Sequence, residues 1–372
     1  MNDSLHGQLS VIGLKGSEDF LAKVDSYLRE WRGSESNIVT PECIRFGTGE
    51  GKCILHDSMR GHDIYIFADL FNYGVTYDMY GMKCPMSPDD HYQDLKRVIG
   101  AIMGKAGRIS VIMPMLYEGR QHRRTVRESL DCAICLQELI AMGVSNIITF
   151  DAHDSRVQNA IPLSGFDNVR SSYQMIKALL RNVPDISLDA DKLMIISPDE
   201  GAMSRCMYFA STLGLELGMF YKRRDYSVVR DGKNPIVEHK YLGKDITGRD
   251  VIVVDDMISS GDSMLHIAQK LKDMGASRIF VFSSFGLFCA GLDTFDEAYE
   301  QKLFDKIFTT NLIYRTDELK SKPWYVEVDM CKYVAYIIDT LNHDDTISKL
   351  LDPNERIHNF VDSWERMKNA NS

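Results

Sequence analysis

The stretch of sequence that decides the fold reads VIVVDDMISSGDSM and runs from Val251 to Met264. It opens with four β-branched residues, which favour a buried strand, and continues directly into the adjacent acids Asp255 and Asp256. Open α/β sheets bind their ligands in the crevice at the carboxyl ends of parallel strands. A strand over Val251–Val254 therefore predicts an α/β fold in which two carboxylates lie at a ligand-binding edge.

A turn of small polar residues follows these acids and precedes a helical segment. It comprises Ser259, Ser260, Gly261, Asp262 and Ser263. Small side chains let a phosphate approach the backbone N–H groups at a helix N-terminus, and glycine can adopt a positive φ. Acids beside such a turn fit a sugar phosphate, with carboxylates on the diol and amides on the phosphate. The alternative is a strand, an acidic turn and a helix N-terminus that bind no ligand.

The composition is that of a globular protein. The chain has 372 residues, of which 44% are hydrophobic and 26% charged, and this length predicts two domains. The formal net charge of -10 predicts no broad basic surface for nucleic acid. Apolar runs are too short for a membrane span, and the start lacks a secretory signal pattern. We therefore expect a cytoplasmic protein that binds neither nucleic acid nor membrane.

Eight cysteines are scattered along the chain, and only Cys132 and Cys135 form a C-x-x-C pair. No second pair of cysteines or histidines accompanies them at the spacing of a zinc site. We interpret them as two thiols on an amphipathic helix in a reducing cytosol.

Strand-like apolar runs alternate with helix-like segments along the chain. The predicted strands are Asp63–Ala68, Ile109–Met113, Asn146–Phe150, Leu193–Ile196, Leu217–Tyr221, Val251–Val254 and Arg278–Phe282. Such alternation predicts βαβ units and a parallel sheet. One helix start is well marked, because Ser87 suits the N-cap and Pro88 suits the first turn.

Two segments of the chain resemble each other. LQELIAMGVSNIITF (Leu136–Phe150) and AQKLKDMGASRIFVF (Ala268–Phe282) each predict a helix that ends in Met-Gly, a short turn and a strand. Gly143 and Gly275 occupy equivalent positions after the two helices. A further predicted strand precedes each segment, so the sequence predicts two homologous α/β halves.

The two halves differ in the loop after their first strand. In the first half this loop reads YEGRQHRRTVRES and is basic, whereas in the second half it is acidic and then small. Arginine offers forked donors that match phosphate oxygens, so Arg120, Arg123 and Arg124 predict a polyphosphate site. A solvated basic loop is the alternative.

Three successive cations, Lys222, Arg223 and Arg224, follow a predicted strand and open a long polar segment. The segment over residues 222–247 contains Gly and Pro and has poor periodicity, which predicts a mobile flap. Closure of such a flap would bring cations to a transition state and exclude water. A basic strand end at the surface is the alternative.

Seven short motifs occur in a fixed order along the chain. They are IRFGTGE (Ile44–Glu50), SMRGHDIYIF (Ser58–Phe67), GRQHRR (Gly119–Arg124), FDAHDSRVQ (Phe150–Gln158), ISPDEGAMSR (Ile196–Arg205), YKRRDYS (Tyr221–Ser227) and VVDDMISSG (Val253–Gly261). Together they resemble the ribose-phosphate pyrophosphokinase family. The resemblance implies two tandem type I phosphoribosyltransferase-like domains, each a mostly parallel sheet flanked by helices, over residues 1–165 and 166–372. It also implies an active site between the domains, with the last part of the chain packed back across their interface.

The same resemblance implies an activity. It is the transfer of the β,γ-diphosphoryl group of ATP to the 1-hydroxyl of ribose 5-phosphate, with release of AMP and with Mg2+ as cofactor. A homo-oligomer, either a dimer or a hexamer, is also implied. Two alternatives are a non-catalytic regulatory relative that binds nucleotide and a pyrophosphokinase that acts on a different 5-substituted ribose.

Motif by motif, the resemblance implies roles for individual residues. The implied ATP-binding residues are Phe46, Thr48, Gly49, Glu50, Arg120, Gln121 and Arg123. The implied ribose 5-phosphate-binding residues are Asp255, Asp256, Ser259, Ser260, Gly261, Asp262 and Ser263. Without the resemblance, Phe46 would be assigned to the core.

The resemblance also implies the reacting centre. Lys222 and Arg224 would be its catalytic cations, and His153 and Asp199 would be magnesium ligands. A nitrogen ligand is unusual for Mg2+, which prefers oxygen, so a satisfied and partly buried His153 is the alternative.

The sequence departs from the family pattern at three of these positions. Ser259 replaces an acid near the ribose, Asp262 replaces a glycine of the phosphate turn, and Thr48 stands where an aspartate is usual. A carboxylate beside a phosphate is repulsive unless it points to solvent. These departures motivate the alternative acceptor and the regulatory alternative.

Overall fold

The computed structural model describes residues 5–224 and 236–370, with the backbone alone for 222–224, 236–239 and 369. Within these ranges the chain divides into two units, each assembled from several segments. The first unit comprises the residues up to Ser171, Asn311–Thr316 and Asp329–Asp352. The second unit comprises Ser172–Thr310, Asp317–Val328 and the residues from Pro353 onward.

The described part of the chain contains both strands and helices. The strands are β1 (Leu9–Gly13), β2 (Ile38–Val39), β3 (Glu42–Arg45), β4 (Gly51–Ile54), β5 (Asp63–Phe67), β6 (Thr76–Met79), β7 (Met82–Pro85), β8 (Arg108–Ile112), β9 (Asn146–Phe150), β10 (Gly165–Val169), β11 (Leu193–Ser197), β12 (Glu216–Arg224), β13 (Ile236–Leu242), β14 (Asp250–Ile258), β15 (Ile279–Gly286), β16 (Lys306–Thr310) and β17 (Tyr325–Val328). The helices are α1 (Glu18–Arg32), α2 (Pro88–Ile102), α3 (Asp131–Ala141), α4 (Ser172–Asn182), α5 (Met203–Leu213), α6 (Asp262–Asp273), α7 (Asp293–Glu300), α8 (Asp317–Ser321), α9 (Cys331–Asn342), α10 (Ser348–Leu351) and α11 (Asn354–Ala370). A 3-10 turn covers Ser155–Ala160.

The first unit is built on a six-stranded parallel sheet in the order β10-β9-β8-β5-β1-β2. Every residue of β5 is buried, as expected for a parallel strand that is covered on both faces. Leu95 of α2 and Leu136 of α3 pack into the same core as Ile64 and Val111 of the sheet. Two antiparallel hairpins, β3–β4 and β6–β7, flank β5 in the chain.

A buried carboxylate holds the returning segment of the first unit to this sheet. Asp63 begins β5 with no exposed surface, and Arg108 of β8 donates to its two oxygens at 2.8 and 2.6 Å. Asn342, at the end of α9, donates to the same carboxylate at 2.8 Å. Arg108 also donates to the Leu341 carbonyl and to the exposed Asp344 carboxylate. One ion pair therefore ties a late helix to two early strands.

The second unit is built on a seven-stranded sheet in the order β13-β12-β11-β14-β15-β16-β17, in which β13 pairs antiparallel and the other strands pair parallel. All eight residues of β15 are buried. Beside the sheet, Trp324 lies among Phe288, Phe295 and Phe304 at ring-centroid distances of 6.0, 5.7 and 5.8 Å. This aromatic cluster supports the turn that follows β14, because the ring of Phe295 lies against Gly261 of that turn.

The predicted α/β class with mostly parallel sheets is confirmed. All seven predicted strands occur, and Ser87 caps α2 in a capping box with Asp90. Gly143 and Gly275 follow α3 and α6 with φ of +95° and +87°. In the described ranges, no helix is long and apolar enough to cross a membrane.

Three predicted strands end several residues too early, because β12 continues to Arg224 and β15 to Gly286, past the predicted ends at Tyr221 and Phe282. The third is β14, whose end was predicted at Val254, with the two acids beyond it, but which continues to Ile258. The extension is stabilised by β15, whose pairing with β14 runs through Ser283 and Phe285 to Gly286. Asp255 and Asp256 therefore lie inside the strand, in the half that precedes the turn.

Replacing Arg108 by methionine is expected to destabilise the first unit by about 3–5 kcal/mol, because the buried Asp63 would lose its cation. Urea unfolding gives the free energy of unfolding, and hydrogen–deuterium exchange in β5 and β8 localises the loss. Asp344→Asn is the matched control, since it removes an exposed partner of Arg108 and should cost less than about 1 kcal/mol.

A second variant separates loss of the cation from loss of packing. In Asp63→Asn combined with Arg108→Met, the buried group is neutral and can still bond Asn342, so part of the stability should return. A double variant that is no more stable than Arg108→Met alone would contradict the electrostatic explanation.

Candidate active site

The strand order of the second sheet reverses between β11 and β14. From β11 the chain passes through α5 to β12 on one side, and from β14 it passes through α6 to β15 on the other. Ligands of open α/β sheets bind at such a switch point, outside the carboxyl ends of the strands. Asp199 follows β11, and Asp255 and Asp256 lie near the end of β14, so the fold brings these three predicted residues to one switch point.

Asp255 and Asp256 lie close to one shared cation. The Nη1 atom of Arg205 on α5 lies 3.9 Å from Asp255 Oδ1 and 3.7 Å from Asp256 Oδ1. Burial of the carboxyl group and the adjacent Asp256 carboxylate raise the pKa of Asp255 well above the usual aspartate range. An exposed carboxylate held beside an arginine is well suited to accept hydrogen bonds from hydroxyl groups.

The turn after β14 requires a glycine. Gly261 adopts a φ of +97°, and a Cβ atom there would lie 2.1 Å from Cζ of Phe295. As the N-cap of α6, Gly261 provides no side chain for the N–H groups of the first helical turn. The helix dipole makes an anion a favourable acceptor for those groups.

The two departures in this turn have separate environments. Asp262 is exposed on the first turn of α6, where it accepts a hydrogen bond from the Ser260 hydroxyl at 3.0 Å. An exposed acid is favourable at this end of a helix, and solvent screens its repulsion of other anions. The Ser259 hydroxyl lies 3.9 Å from the Cys289 sulfur. Ser263 is exposed beside Asp262.

Asp199 organises the loop after β11. Its Oδ1 atom accepts hydrogen bonds from the backbone N–H groups of Gly201 and Ala202 at 2.9 and 3.3 Å. The Ser197 hydroxyl donates to the Asp199 carbonyl at 2.7 Å. These bonds lead the chain into α5, so Asp199 has a structural role at the start of the helix that carries Arg205.

The predicted catalytic cations lie at the end of β12. Lys222 and Arg224 pair through their backbone with β13, and the register shifts between Arg223 and Arg224, as at a β-bulge. Their side chains, and residues 225–235 of the predicted flap, lie outside the described part of the chain. The roles of both cations and the mobility of the flap stay predictions.

In the first unit, four of the predicted ATP-binding residues form the tip of the β3–β4 hairpin. Phe46 N–H donates to the Glu50 carbonyl, and Gly49 N–H donates to the Phe46 carbonyl, both at 2.8 Å. The Thr48 hydroxyl donates to the Glu50 carboxylate at 2.9 Å. The Phe46 side chain is 48% exposed, so it is not a core residue and its ring is accessible for stacking.

Helix α2 contacts both this hairpin and the basic loop. Arg45, at the end of β3, lies 3.0 Å from the Asp94 carboxylate and donates to the Asp90 carbonyl at 3.1 Å. The Tyr117 hydroxyl, at the start of the basic loop, donates to Asp89 at 2.6 Å. The first turns of α2 therefore fix both predicted ATP-binding elements within one unit.

The basic loop follows β8 and presents its arginines to solvent. Arg120 and Arg123 are exposed, and Gln121 is half-buried. The Gln121 N–H donates to the Glu118 carbonyl at 2.7 Å, which closes a tight turn. Exposed guanidinium groups on a loop with an ordered start can offer paired donors to the oxygens of a polyphosphate.

Sequence reasoning missed three contacts of the candidate residues, two in the first unit and one in the second. His122 lies 3.5 Å from Asp154, and its ring centroid lies 5.4 Å from that of His153. Arg205 lies beside the paired acids. His122, His153, Asp154 and Arg205 all belong to the seven motifs, but only the fold shows which partners they contact. No group of three or more candidate metal ligands occurs among the residues that the structure describes.

Three family models match the chain, and the second and third matches overlap. The N-terminal domain of ribose phosphate pyrophosphokinase matches residues 9–143, and the phosphoribosyl transferase domain matches residues 166–287. The phosphoribosyl synthetase-associated domain matches residues 232–352. Together the three models span both units.

Similar proteins cover most of this chain. A ribose-phosphate pyrophosphokinase of Vibrio parahaemolyticus is 24% identical over 310 residues, which are 82% of this chain and 89% of that protein. One of Mycoplasma genitalium is 29% identical over 293 residues, which are 78% of this chain and 79% of that protein. The crystal structure of phosphoribosylpyrophosphate synthetase from Mycobacterium smegmatis aligns with a TM-score of 0.72 at 19% identity, over 91% of this chain and 99% of that chain. The last comparison shows a shared fold.

The family models, the relatives and the order of the seven motifs point to the same group of proteins. The fold agrees with them, since both units carry a mostly parallel sheet. The chain belongs to the ribose-phosphate pyrophosphokinase family.

Proposed function

We propose that this protein transfers the diphosphoryl group of ATP to the 1-hydroxyl of ribose 5-phosphate, giving phosphoribosyl pyrophosphate and AMP. Membership of the family supports the reaction, since the curated relatives are named for it. The observation that carries the proposal is the switch point of the second unit, where paired acids adjoin the Gly261 turn. Acids beside an anion-binding turn suit a sugar with a phosphate at one end.

The acceptor site follows from the charges at this switch point. Asp255 and Asp256 can accept hydrogen bonds from the ribose diol, while Arg205 offsets the repulsion between the two carboxylates. The N–H groups at the start of α6 can bind the 5-phosphate. Gly261 permits close approach of the phosphate, and the exposed position of Asp262 limits its repulsion of that phosphate.

We assign ATP to the first unit. Phe46 is exposed for stacking on the adenine ring, and the turn through Thr48, Gly49 and Glu50 offers polar groups to the adenosine. The basic loop offers its donors to the phosphates through Arg120, Gln121 and Arg123.

The reaction is an in-line displacement at the β-phosphorus of ATP. The 1-hydroxyl oxygen of the sugar attacks this phosphorus, the bond to the oxygen that bridges to the α-phosphorus breaks, and AMP leaves with that oxygen. Charge accumulates on the leaving oxygen and the transferred group, so catalysis needs fixed cations there. We assign that role to Lys222 and Arg224, whose backbone continues β12.

We propose Mg2+ as the cofactor, which neutralises phosphate charge when it is bound. Asp199 offers the oxygen ligand that Mg2+ prefers, whereas His153 offers a nitrogen. The described residues contain no group of three candidate ligands, which fits an ion held largely by phosphate oxygens and water. We therefore rank Asp199 above His153 as a magnesium ligand.

A different 5-substituted ribose is the second candidate acceptor, because Ser259 and Asp262 alter the turn that would receive the substituent. The regulatory alternative is less favoured, since a binding module has no need of the retained cations Lys222 and Arg224. Assembly as a homo-oligomer and a cytoplasmic location stay predictions of the resemblance.

Replacing Lys222 by alanine is expected to lower the rate of AMP formation by about 10²–10³-fold, because one transition-state cation is lost. The purified protein is incubated with ATP, Mg2+ and ribose 5-phosphate, and the nucleotides are separated by chromatography. Lys192→Ala, which removes an exposed cation from the same unit, is the control and should retain full activity.

The product identifies the reaction. AMP that appears only in the presence of ribose 5-phosphate supports diphosphoryl transfer. ADP would contradict the mechanism, because it reports transfer of a single phosphoryl group. Turnover with only another 5-substituted ribose would favour the second acceptor, and nucleotide binding without turnover would favour a regulatory protein.

The Gly261→Ala variant is expected to raise the KM for ribose 5-phosphate by about tenfold or more, because the left-handed backbone and the Phe295 contact exclude a Cβ atom. Gly248→Ala is the matched control. Its φ is +72°, and no atom lies within 4 Å of the added Cβ, so it changes backbone strain alone. Steady-state kinetics give the KM for ribose 5-phosphate of both variants, and thermal unfolding shows whether either variant is destabilised. Equal KM values in the two variants would refute a role for this turn in binding the sugar phosphate.

A further inference from the structure

Two cysteines lie opposite each other across the β3–β4 hairpin. Cys43 and Cys53 are direct partners in its register, between the pairs Glu42–Ile54 and Ile44–Lys52. Both are free thiols of intermediate burial, and they pack against the core of the first unit. They are ten positions apart in a sequence without a C-x-x-C pattern at this site, so only the strand pairing brings them together.

The register also fixes the kind of pair that they form. In antiparallel strands, hydrogen-bonded pairs alternate with pairs that have no hydrogen bond between them. The Phe46–Glu50 pair is hydrogen-bonded, so Ile44–Lys52 is hydrogen-bonded and Cys43–Cys53 is not. The Cα atoms of non-hydrogen-bonded pairs are about 4.5 Å apart, with the side chains close together. That spacing lies at the short end of the range found in disulfides, roughly 4.4–6.8 Å.

The two thiols differ in acidity. Interaction with Cys53 and burial raise the pKa of Cys43, whereas interaction with Cys43 lowers the pKa of Cys53 despite its partial burial. Of the two charged groups of α2 near Cys53, Asp94 raises the pKa of this thiol and Arg97 lowers it. This asymmetry suits one sulfur to attack an oxidant and the other to resolve the product.

The C-x-x-C pair of α3 provides a contrast within the same unit. Cys132 and Cys135 are almost fully buried in the core, and burial raises the pKa of each thiol to about 12. Thiols that stay protonated and have no access to solvent react slowly. The motif that a sequence search would select is therefore the inert pair.

We propose that Cys43 and Cys53 form a reversible disulfide that responds to hydroperoxides and changes nucleotide binding by the hairpin. The Cys53 sulfur attacks one peroxide oxygen, the O–O bond breaks, and Cys53 becomes a sulfenic acid as water or an alcohol leaves. The Cys43 sulfur then attacks the sulfenic sulfur, the S–O bond breaks, and a second water leaves. The two thiols lose two electrons in total, the peroxide gains two, and a dithiol reductant reverses the change.

The consequence for nucleotide binding follows from the position of the pair. Disulfide formation draws the two Cβ atoms from about 5 Å to about 3.8 Å, which pulls the strands together and increases their twist. The tip residues Phe46–Glu50 come next in the chain after β3, so a change in the strands reaches them. Arg45 also links the hairpin to α2 through Asp94. This part of the inference rests on the proposed function, because it assigns the tip to ATP.

Peptide mapping tests the disulfide without any assay of activity. Trypsin cleavage after Arg32, Arg45, Lys52 and Arg60 places Cys43 on the peptide 33–45 and Cys53 on the peptide 53–60. After treatment with hydrogen peroxide and alkylation of free thiols, we expect these two peptides to be joined, and dithiothreitol to separate them. In Cys43→Ser, a sulfenic acid should persist on Cys53 and react with dimedone. Over-oxidation or no oxidation of both residues, without the joined peptide, would overturn the proposal.

Kinetics test the effect on the nucleotide. In oxidised wild-type protein we expect the KM for ATP to rise by about fivefold or more, with the KM for ribose 5-phosphate unchanged. The same treatment should leave the KM for ATP of Cys43→Ser unchanged. In Cys289→Ser, which lacks an exposed cysteine elsewhere, the KM for ATP should rise as it does in the wild type. A joined peptide with an unchanged KM for ATP would refute control of binding. If the untreated protein forms no AMP, the proposed function fails, while the mapping still decides whether the disulfide forms.

Discussion

The first unit depends on the buried Asp63 carboxylate, because three separate parts of the chain meet there. Arg108 supplies its cation from β8, and Asn342 supplies a further donor from α9. A charge removed from water is tolerated only while its partners stay in place, so loss of either partner affects strands and helix together.

The chain uses one supersecondary plan twice and changes only the loop. In both units, two adjacent parallel strands are connected by a helix that ends in Met-Gly, as in β8–α3–β9 and β14–α6–β15. In the first, the loop is basic and exposed, and its donors can meet phosphates. In the second unit, an acidic strand end and a glycine turn lie at a switch point, and both can bind a sugar phosphate. Chemistry therefore resides in the loops, while the scaffold repeats.

Much of the fold could be predicted because buried parallel strands are continuous apolar runs. The ends of strands were harder to predict from the sequence. The extension of β14 through Asp255 and Asp256 depends on pairing with β15, which is distant in sequence from these residues. The role of Arg205 beside these acids was missed for the same reason, because α5 approaches β14 only in the folded chain. The pairing of Cys43 with Cys53 needs the register of a hairpin that no strand prediction included.

The segmental make-up of the first unit has a consequence during synthesis. Its sheet is complete once residue 171 has been made, but Asn342 and the rest of α9 emerge only after most of the second unit. At ordinary elongation rates of roughly 5–20 residues per second, this interval is about 9–34 s. Meanwhile, the Asp63–Arg108 pair lacks one of its donors, and Trp31 lacks the Tyr336 ring that stacks on it. Until α9 is made, the surface of α1 that carries Trp31 therefore lacks the helix that covers it in the finished unit.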